Sequence, residues 1–425
     1  MNRKRQRTIV VLISVLAFSA VSEAVSTKQI DAVRQKALLN KEVLEKADFE
    51  VIDAFWAEAL AELLILDDFS EIVKVRSQIF SLRGNPEPSQ YSVGFITSGQ
   101  KHLTAAFDEV QNWETDQRKT WIERNLIILT AQLESGELLE LGMRMIGHQN
   151  STVRYWAVKA LTNQGIVGQL NADASLLSEP ADRIARQLET TAEKETHPEI
   201  LSLIAAFAGQ VNGTQAKQLL TKIVDLRTIA YENWTVKYEL MDATLLRSLG
   251  NEILSQASRQ NKAANSRRFA QLYSYAMQRF ILGANVLSDV SKQQLASVLV
   301  EVEQSVLDRL LGRPQSSIKK AVEKILTRRT DDQKDYSSLQ AEHESLLGTA
   351  SRKGDLPDAL NFDYGKKPDG TAKTSPKKLG SPPEAQPEPE TTEAADETAE
   401  PEPETGEPES EAIEPEAEAA ETSGS

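Results

Sequence analysis

The sequence predicts an all-α fold: an α-solenoid-like stack of helical hairpins, followed by a disordered C-terminal tail. Three observations carry this. From Thr27 to about Arg329, apolar residues recur at intervals of three and four, the spacing that gathers them on one side of a helix. Runs of alternating β-branched residues, the mark of strands, are missing. A helix-start phrase, Asn150-Ser151-Thr152-Val153-Arg154-Tyr155-Trp156-Ala157-Val158-Lys159-Ala160-Leu161, returns in weaker form near Pro198 and Trp234.

The elements follow in order. A first helical segment runs from Lys28 to about Lys46. Asp48 then caps a helix carrying Val51, Ile52, Phe55, Ala59, Leu60 and Leu63 on one stripe. Asp68 caps a third, with Ile72, Val75, Ile79 and Leu82 inward and Gly84 as the stop. Asn85 to Ser89 is a loop, because two prolines in three residues remove backbone donors a helix needs. A helix from Ser89 to Val110 follows. Thr115 or Asp116 opens the next, with Ile122, Leu126, Leu129 and Leu133 inward, and Ser135-Gly136 breaks it. A short helix covers Glu137 to Ile146.

In the phrase at 150–161, Val153, Ala157, Ala160 and Leu161 form the buried stripe, and the alanines let a neighbour approach closely. Ser178-Glu179-Pro180 starts a helix with proline at a tolerated first-turn position, carrying Ile184 and Leu188. His197-Pro198 starts another through Leu201, Ile204 and Ala208. Its pair-mate begins at Gly213-Thr214 with Leu219, Leu220 and Ile223. From Asn233 to Gly250 the phrase recurs, with Val236, Leu240, Ala243 and Leu246 inward and Lys237 outward.

Later helices lengthen. Phe269, Leu272, Tyr273, Ala276 and Phe280 make one stripe, and Leu295, Val298, Val302, Val306 and Leu310 another. Gly312-Arg313-Pro314 turns the chain into a helix with Ile318, Val322, Ile325 and Leu326. Leu339, Leu346 and Leu347 support one short helix more.

Val153, Ile200 and Val236 hold similar places in the three echoes, 47 and 36 residues apart. With Thr152-Val153-Arg154-x-x-Ala157-x-x-Ala160-Leu161 and the partial match from Val236-Lys237 to Leu246, the stretch from about 115 to 250 resembles HEAT repeats, whose units run roughly 40–47 residues. The resemblance implies helical hairpins stacked in series and a partner-binding surface along them.

The ends are of different character. Arg3, Lys4, Arg5 and Arg7 precede a run of 13 apolar or small residues, Ile9 to Val21, and then Ser22-Glu23-Ala24. That order is the pattern of a secretory signal over 1–24, and the run falls short of the roughly 20 residues of a membrane-spanning helix. A periplasmic or extracellular location, most consistent with a bacterium, is expected. The mature chain then has no transmembrane span. No cysteine occurs, so disulfides and thiolate metal sites are excluded. The formal net charge of −15 belongs to the tail: residues 381–425 hold 16 acidic residues and no basic one, while 25–380 hold 44 basic and 46 acidic. A nearly neutral body argues against nucleic acid as a partner. The expected organisation is an N-terminal helical region (27–112), the HEAT-like region (113–330), a flexible basic linker (331–380) and a disordered acidic, Pro/Glu-rich tail (381–425).

Chemistry-bearing motifs are sparse. The histidines, His102, His148, His197 and His343, are not at ligand spacing, and Glu342-His343-Glu344 diverge by about 100° per residue on a helix. Nucleophile elbows and phosphate loops are missing, and no catalytic residue, metal or cofactor is expected. Two patches are candidates for binding a partner. Arg154, Trp156 and Lys159 flank the buried stripe of the clearest repeat, with Trp156 the anchor type. Arg268, Tyr275 and Arg279 share the outer face of a later helix. The function expected is a non-catalytic scaffold or adaptor. The alternatives are an envelope enzyme with a site assembled from scattered helices, and a binder of anionic polymer through a positive stripe at Arg268 and Arg279.

Overall fold

The computed structural model describes residues 27–38, 42–84, 89–172, 178–255, 259–327 and 335–383. The expected signal, the 85–88 part of the proline loop and the tail beyond 383 lie outside the described residues. Among the described residues the protein is all-α, with two isolated bridges in place of strands. No helix among them is long and apolar enough to cross a membrane.

The first half holds α1 (Thr27–Leu38), α2 (Lys46–Ile65), α3 (Phe69–Ser81), α4 (Gln90–Gln111), α5 (Gln117–Leu133), a 3-10 turn (Gly136–Leu138), α6 (Leu139–Met145), α7 (Ser151–Thr162) and α8 (Gln164–Ala172). The second half holds α9 (Ser178–Ala192), α10 (Pro198–Gln210), α11 (Thr214–Glu232), α12 (Met241–Ser255), α13 (Arg259–Leu282), α14 (Asp289–Val302), a π turn (Glu303–Leu307), α15 (Asp308–Leu311), α16 (Ser317–Leu326), α17 (Ser337–Leu347) and α18 (Asp355–Ala359).

Several starts are local chemistry. The Asp68 carboxylate accepts from the amides of Ser70 and Glu71, Asp116 from Lys119, and Asn150 Oδ1 from Thr152 and Val153. Each satisfies amide donors that the first helical turn leaves without partners. Asp48 acts differently from expectation. It lies inside the first turn of α2, accepting the Glu45 amide at 2.7 Å and the Lys36 ammonium at 2.6 Å. The single segment expected from Lys28 to Lys46 is therefore not continuous: α1 spans Thr27–Leu38, residues 42–45 are not helical, and α2 begins at Lys46. Asn163 Oδ1 accepts the Ile166 amide and starts α8, which holds Gly165 in its first turn.

Packing follows chain order. In the first region α2 lies against α1, α3 and α4, and α5 against α3 and α4. Beyond it, α5, α7, α10, α12 and α14 lie side by side in that sequence, and α9, α11, α13 and α17 do the same in a second row. Successive helices from α9 to α14 also touch their chain neighbours, which joins the rows. Small residues set the closest approach: a Cβ added at Gly209 of α10 would lie 2.0 Å from Ser248 Oγ of α12.

The core divides at α7. Val153, Ala157 and Ala160 belong to an N-terminal cluster that includes Trp56, Tyr91 and Phe95. Val158 and Leu161 belong to a C-terminal cluster that runs through Phe207, Phe269 and Tyr273 to Leu379. One helix thus has two apolar faces, and each face completes a different core. Burying a large side chain of this kind contributes roughly 1.5–3 kcal/mol.

Arginines tie the hairpins together. Arg34 donates to Ser81 O at 2.9 Å, Arg83 to Gln132 O at 2.7 Å, and Arg118 to Leu66 O at 3.1 Å and also to Leu64 O. These carbonyls stand at helix ends, where intrahelical donors run out. Each guanidinium supplies the missing donors from a neighbouring helix.

Two longer stretches also differ from expectation. Residues 233–240 are not helical: Trp234 and Tyr238 have φ of +58° and +55°, and α12 starts only at Met241. Val236 is buried as expected, but Leu240 is 38% exposed. Arg227 and Arg279 claim the carbonyls of this loop from two sides and override its helical periodicity. The second correction concerns the expected flexible linker, 331–380. Its described part, from Asp335 on, is packed. Leu339, Leu347, Leu356, Phe362 and Leu379 enter the C-terminal core, and the Tyr364 hydroxyl donates to Leu347 O at 2.9 Å.

Candidate protein-binding face

The phrase at α7 places its polar residues in two roles. Arg154 is a staple. Its Nε and Nη2 donate to Glu195 at 2.9 and 3.1 Å, and its Nη1 to the carbonyls of His148 and Gln149 at 2.9 and 2.8 Å. Burial pushes the Glu195 carboxyl up, but Arg154 and the amides of His197 and Thr196 outweigh it and hold it below its ordinary range. Trp156 is half-buried against the N-terminal core. It meets Tyr155 edge-on at 5.6 Å, and the Lys159 ammonium stands 4.6 Å above its ring. Trp156 and Lys159 therefore form a partly exposed cation–aromatic pair, while Arg154 is committed to the fold.

Helix α13 separates the second candidate set. Arg268 is half-buried and pairs with Asp225 of α11 through two bonds of 2.9 and 3.2 Å. Tyr275 is only 1% exposed. Its hydroxyl donates to Glu232 at 2.8 Å, and its ring stacks on Tyr231 at 6.2 Å. Arg279 is 4% exposed. It donates to Trp234 O and Val236 O and pairs with Glu239 at 3.4 Å. The shared outer face expected for Arg268, Tyr275 and Arg279 does not form, and neither does a positive stripe through Arg268 and Arg279. The cause is burial of the helix on nearly every side, since α11, α12, α14 and α17 all pack on α13.

Arg268 instead borders an open depression of about 860 Å³ across α9, α11, α12 and α13. Glu189, Lys217, Gln218 and Asn265 also line it. Lys217 reaches Glu252 at 3.1 Å, and nearby Lys222 reaches Glu193 at 2.6 Å. These pairs and Arg268–Asp225 bridge one helix to the next, so the surface carries both signs of charge on a stiff frame.

The histidines are dispersed. His102 bonds Asp53 at 2.9 Å and His148 bonds Glu123 at 3.2 Å, far apart in the chain. His343 Nε2 lies 2.8 Å from Ser274 Oγ, and Gln278 donates to that same oxygen at 2.7 Å. Burial lowers the His343 pKa to about 4. Ser274 is 0% exposed, so no substrate reaches its hydroxyl. Among the described residues no group of three or more histidines and carboxylates could hold a metal ion.

Glu232, Trp234, Gln271 and Gln278, whose side chains bond Lys377, Leu379 and Gly380, were not among the expected site residues. A signal existed for the glutamines. From Phe269 to Phe280 they are the two positions left partly exposed on an otherwise buried helix. They lie seven residues apart, two turns along one side.

No family model matches this chain, and no curated protein matches it.

Proposed function

We propose that this protein is an exported, HEAT-like helical-repeat scaffold that docks a protein partner on the face formed by α9, α11 and α13. The observation that carries the reading is the depression of about 860 Å³ laid across consecutive helices, with charged side chains of both signs already fixed in interhelical pairs. Such a surface offers broad contact area without ordering its groups anew on binding. The serial packing supports the solenoid reading, because a stack of this kind exposes long faces crossing several repeats. Trp156 with Lys159 is a half-exposed cation–aromatic pair on α7, in the other row, and lies outside this docking face. The basic head, apolar run and Ser22-Glu23-Ala24 support export, with a mature chain beginning at Val25.

The test is affinity capture of the full mature chain from its native envelope fraction under gentle conditions, beside an Arg268→Glu, Lys217→Glu variant of equal thermal stability. The scaffold reading expects a protein recovered with the parent chain and strongly reduced with the variant. Recovery of no protein, or equal recovery with both, overturns it.

A further inference from the structure

Residues 377–379 run along α13, and Gly380 reaches Trp234 beside it; most of the hydrogen bonds are made by their backbone. The Gln271 amide accepts from Lys377 N at 2.8 Å and donates to Lys377 O at 3.3 Å. The Gln278 amide accepts from Leu379 N at 2.7 Å and donates to Lys377 O at 3.1 Å. The Trp234 indole donates to Gly380 O at 3.1 Å. Amides two residues apart facing the same way is the geometry of an extended chain. Carboxamides suit this role because each carries a donor and an acceptor side by side, matching the peptide unit.

Side chains add selectivity. Pro376 and Leu379 are buried, and Leu379 joins the C-terminal core. The Lys377 ammonium reaches Glu232 at 3.2 Å, on the same oxygen that accepts from Tyr275. The Tyr275 hydroxyl, with the Lys377 ammonium, keeps Glu232 below its ordinary range, and so ionised to meet a lysine. The face therefore reads a backbone, one lysine, and an aliphatic residue two places later.

Two further features border the segment. Trp234 holds φ +58°, a conformation a bulky residue rarely adopts, and Arg279 pins it from behind, 5.2 Å from its ring. Strain of this kind concentrates at ligand clamps. Beside the segment, between α13 and α17, lies a depression of about 650 Å³ lined by Gln278, His343, Ser375, Pro376 and Leu379. The segment thus rests beside open space along one flank and is not sealed into the core along its length.

We propose that the α13 face centred on Gln271 and Gln278 is a binding site for an extended peptide of a partner protein with lysine two residues before leucine, and that residues 375–380 are its built-in competitor. This rests on the scaffold reading and adds the chemistry of what is bound and how binding is regulated. An occupant that belongs to the same chain competes intramolecularly, so a free peptide meets a largely filled site. Displacing the tether opens it.

The experiment uses the full chain and a fluorescein-labelled peptide with the sequence of residues 373–383, followed by anisotropy. The parent chain should bind weakly. Lys377→Glu with Leu379→Asp in the full chain should tighten peptide binding tenfold or more. Adding Gln271→Ala and Gln278→Ala should remove that gain. A gain that persists without the glutamines, or no gain in a variant with unchanged circular dichroism, overturns the proposal. A second measurement needs no variant: excess unlabelled peptide should speed hydrogen exchange at the Lys377 and Leu379 amides of the parent chain. Unchanged exchange at millimolar peptide overturns the proposal as well. Neither assay involves the depression at Arg268, so the peptide site and the scaffold reading fail separately.

Discussion

Arg227 and Asp242 form a two-bonded ion pair inside the protein, with Nε–Oδ1 at 2.6 Å and Nη2–Oδ2 at 3.2 Å. Tyr231 adds a third bond to the same carboxylate at 2.5 Å. The guanidinium also donates to Lys237 O and Tyr238 O, so one buried residue fixes both the start of α12 and the loop before it. Asp242→Asn should lower stability by about 3–5 kcal/mol, the cost of leaving one buried charge without its partner. Arg227→Met combined with Asp242→Leu should recover a large part of that loss. Urea midpoints for the three proteins check this.

The contact between α10 and α12 tests the serial packing. Gly209→Ala improves helix propensity by roughly 1 kcal/mol, yet its Cβ would collide with Ser248. The collision should win, with a net destabilisation of about 1–3 kcal/mol. Ser248→Gly in the same chain should restore most of the lost stability. Thermal melts of the single and double variants read the result.

Trp234 combines a backbone penalty with a side-chain gain. Trp234→Ala loses the indole but keeps a residue with a Cβ at φ +58°. Trp234→Gly removes that penalty, so the glycine variant should be more stable than the alanine variant by about 1 kcal/mol. Both should lose protection at Lys377 and Leu379 in hydrogen exchange, because the bond to Gly380 O is gone.

His343 predicts a pH dependence. Burial lowers its pKa from 6.5 to about 4, and Glu344 opposes this only in part. The folded state therefore resists protonation while the unfolded chain accepts it. Above pH 6.5 the group costs nothing. Stability should fall as pH drops from about 6.5 toward 4, by up to about 3 kcal/mol. His343→Gln should flatten that part of the profile. Denaturant titrations at pH 7, 5.5 and 4.5 on both proteins test it, and parallel profiles would remove His343 as the cause.

Reading the fold from sequence succeeded where side chains act on their own neighbourhood. Asp68, Asp116 and Asn150 bond amides two or three residues ahead, and Pro198 opens α10 with a fixed φ. Periodicity found the buried stripes of α3, α5, α7 and α13 for the same reason. It failed where partners come from far along the chain. Val236, Leu240, Ala243 and Leu246 are spaced as in a helix, but Arg279 arrives 43 residues later and takes the Val236 carbonyl. Tyr275 and Arg279 look like surface residues until exposed Glu232 takes the Tyr275 hydroxyl and buried Glu239 meets Arg279. The segment from Gly348 to Gly380 is rich in Lys, Gly and Pro, and its anchors, Leu356, Phe362, Pro376 and Leu379, follow no period. Composition alone read it as linker. Of the candidate site residues, Arg154, Trp156, Lys159 and Arg268 lie at or near the surface as read, and only the last three are open to a partner.

The most direct test of the central claim is photo-crosslinking in the native fraction. A photoreactive residue is placed at Glu189, Gln218 or Asn265, which span α9, α11 and α13 in the depression, or at exposed Ser297 on α14 in the other row. Adducts of one common mass at the first three positions and none at Ser297 are the predicted result. Equal adducts at Ser297, or none at the depression, would contradict docking on this face.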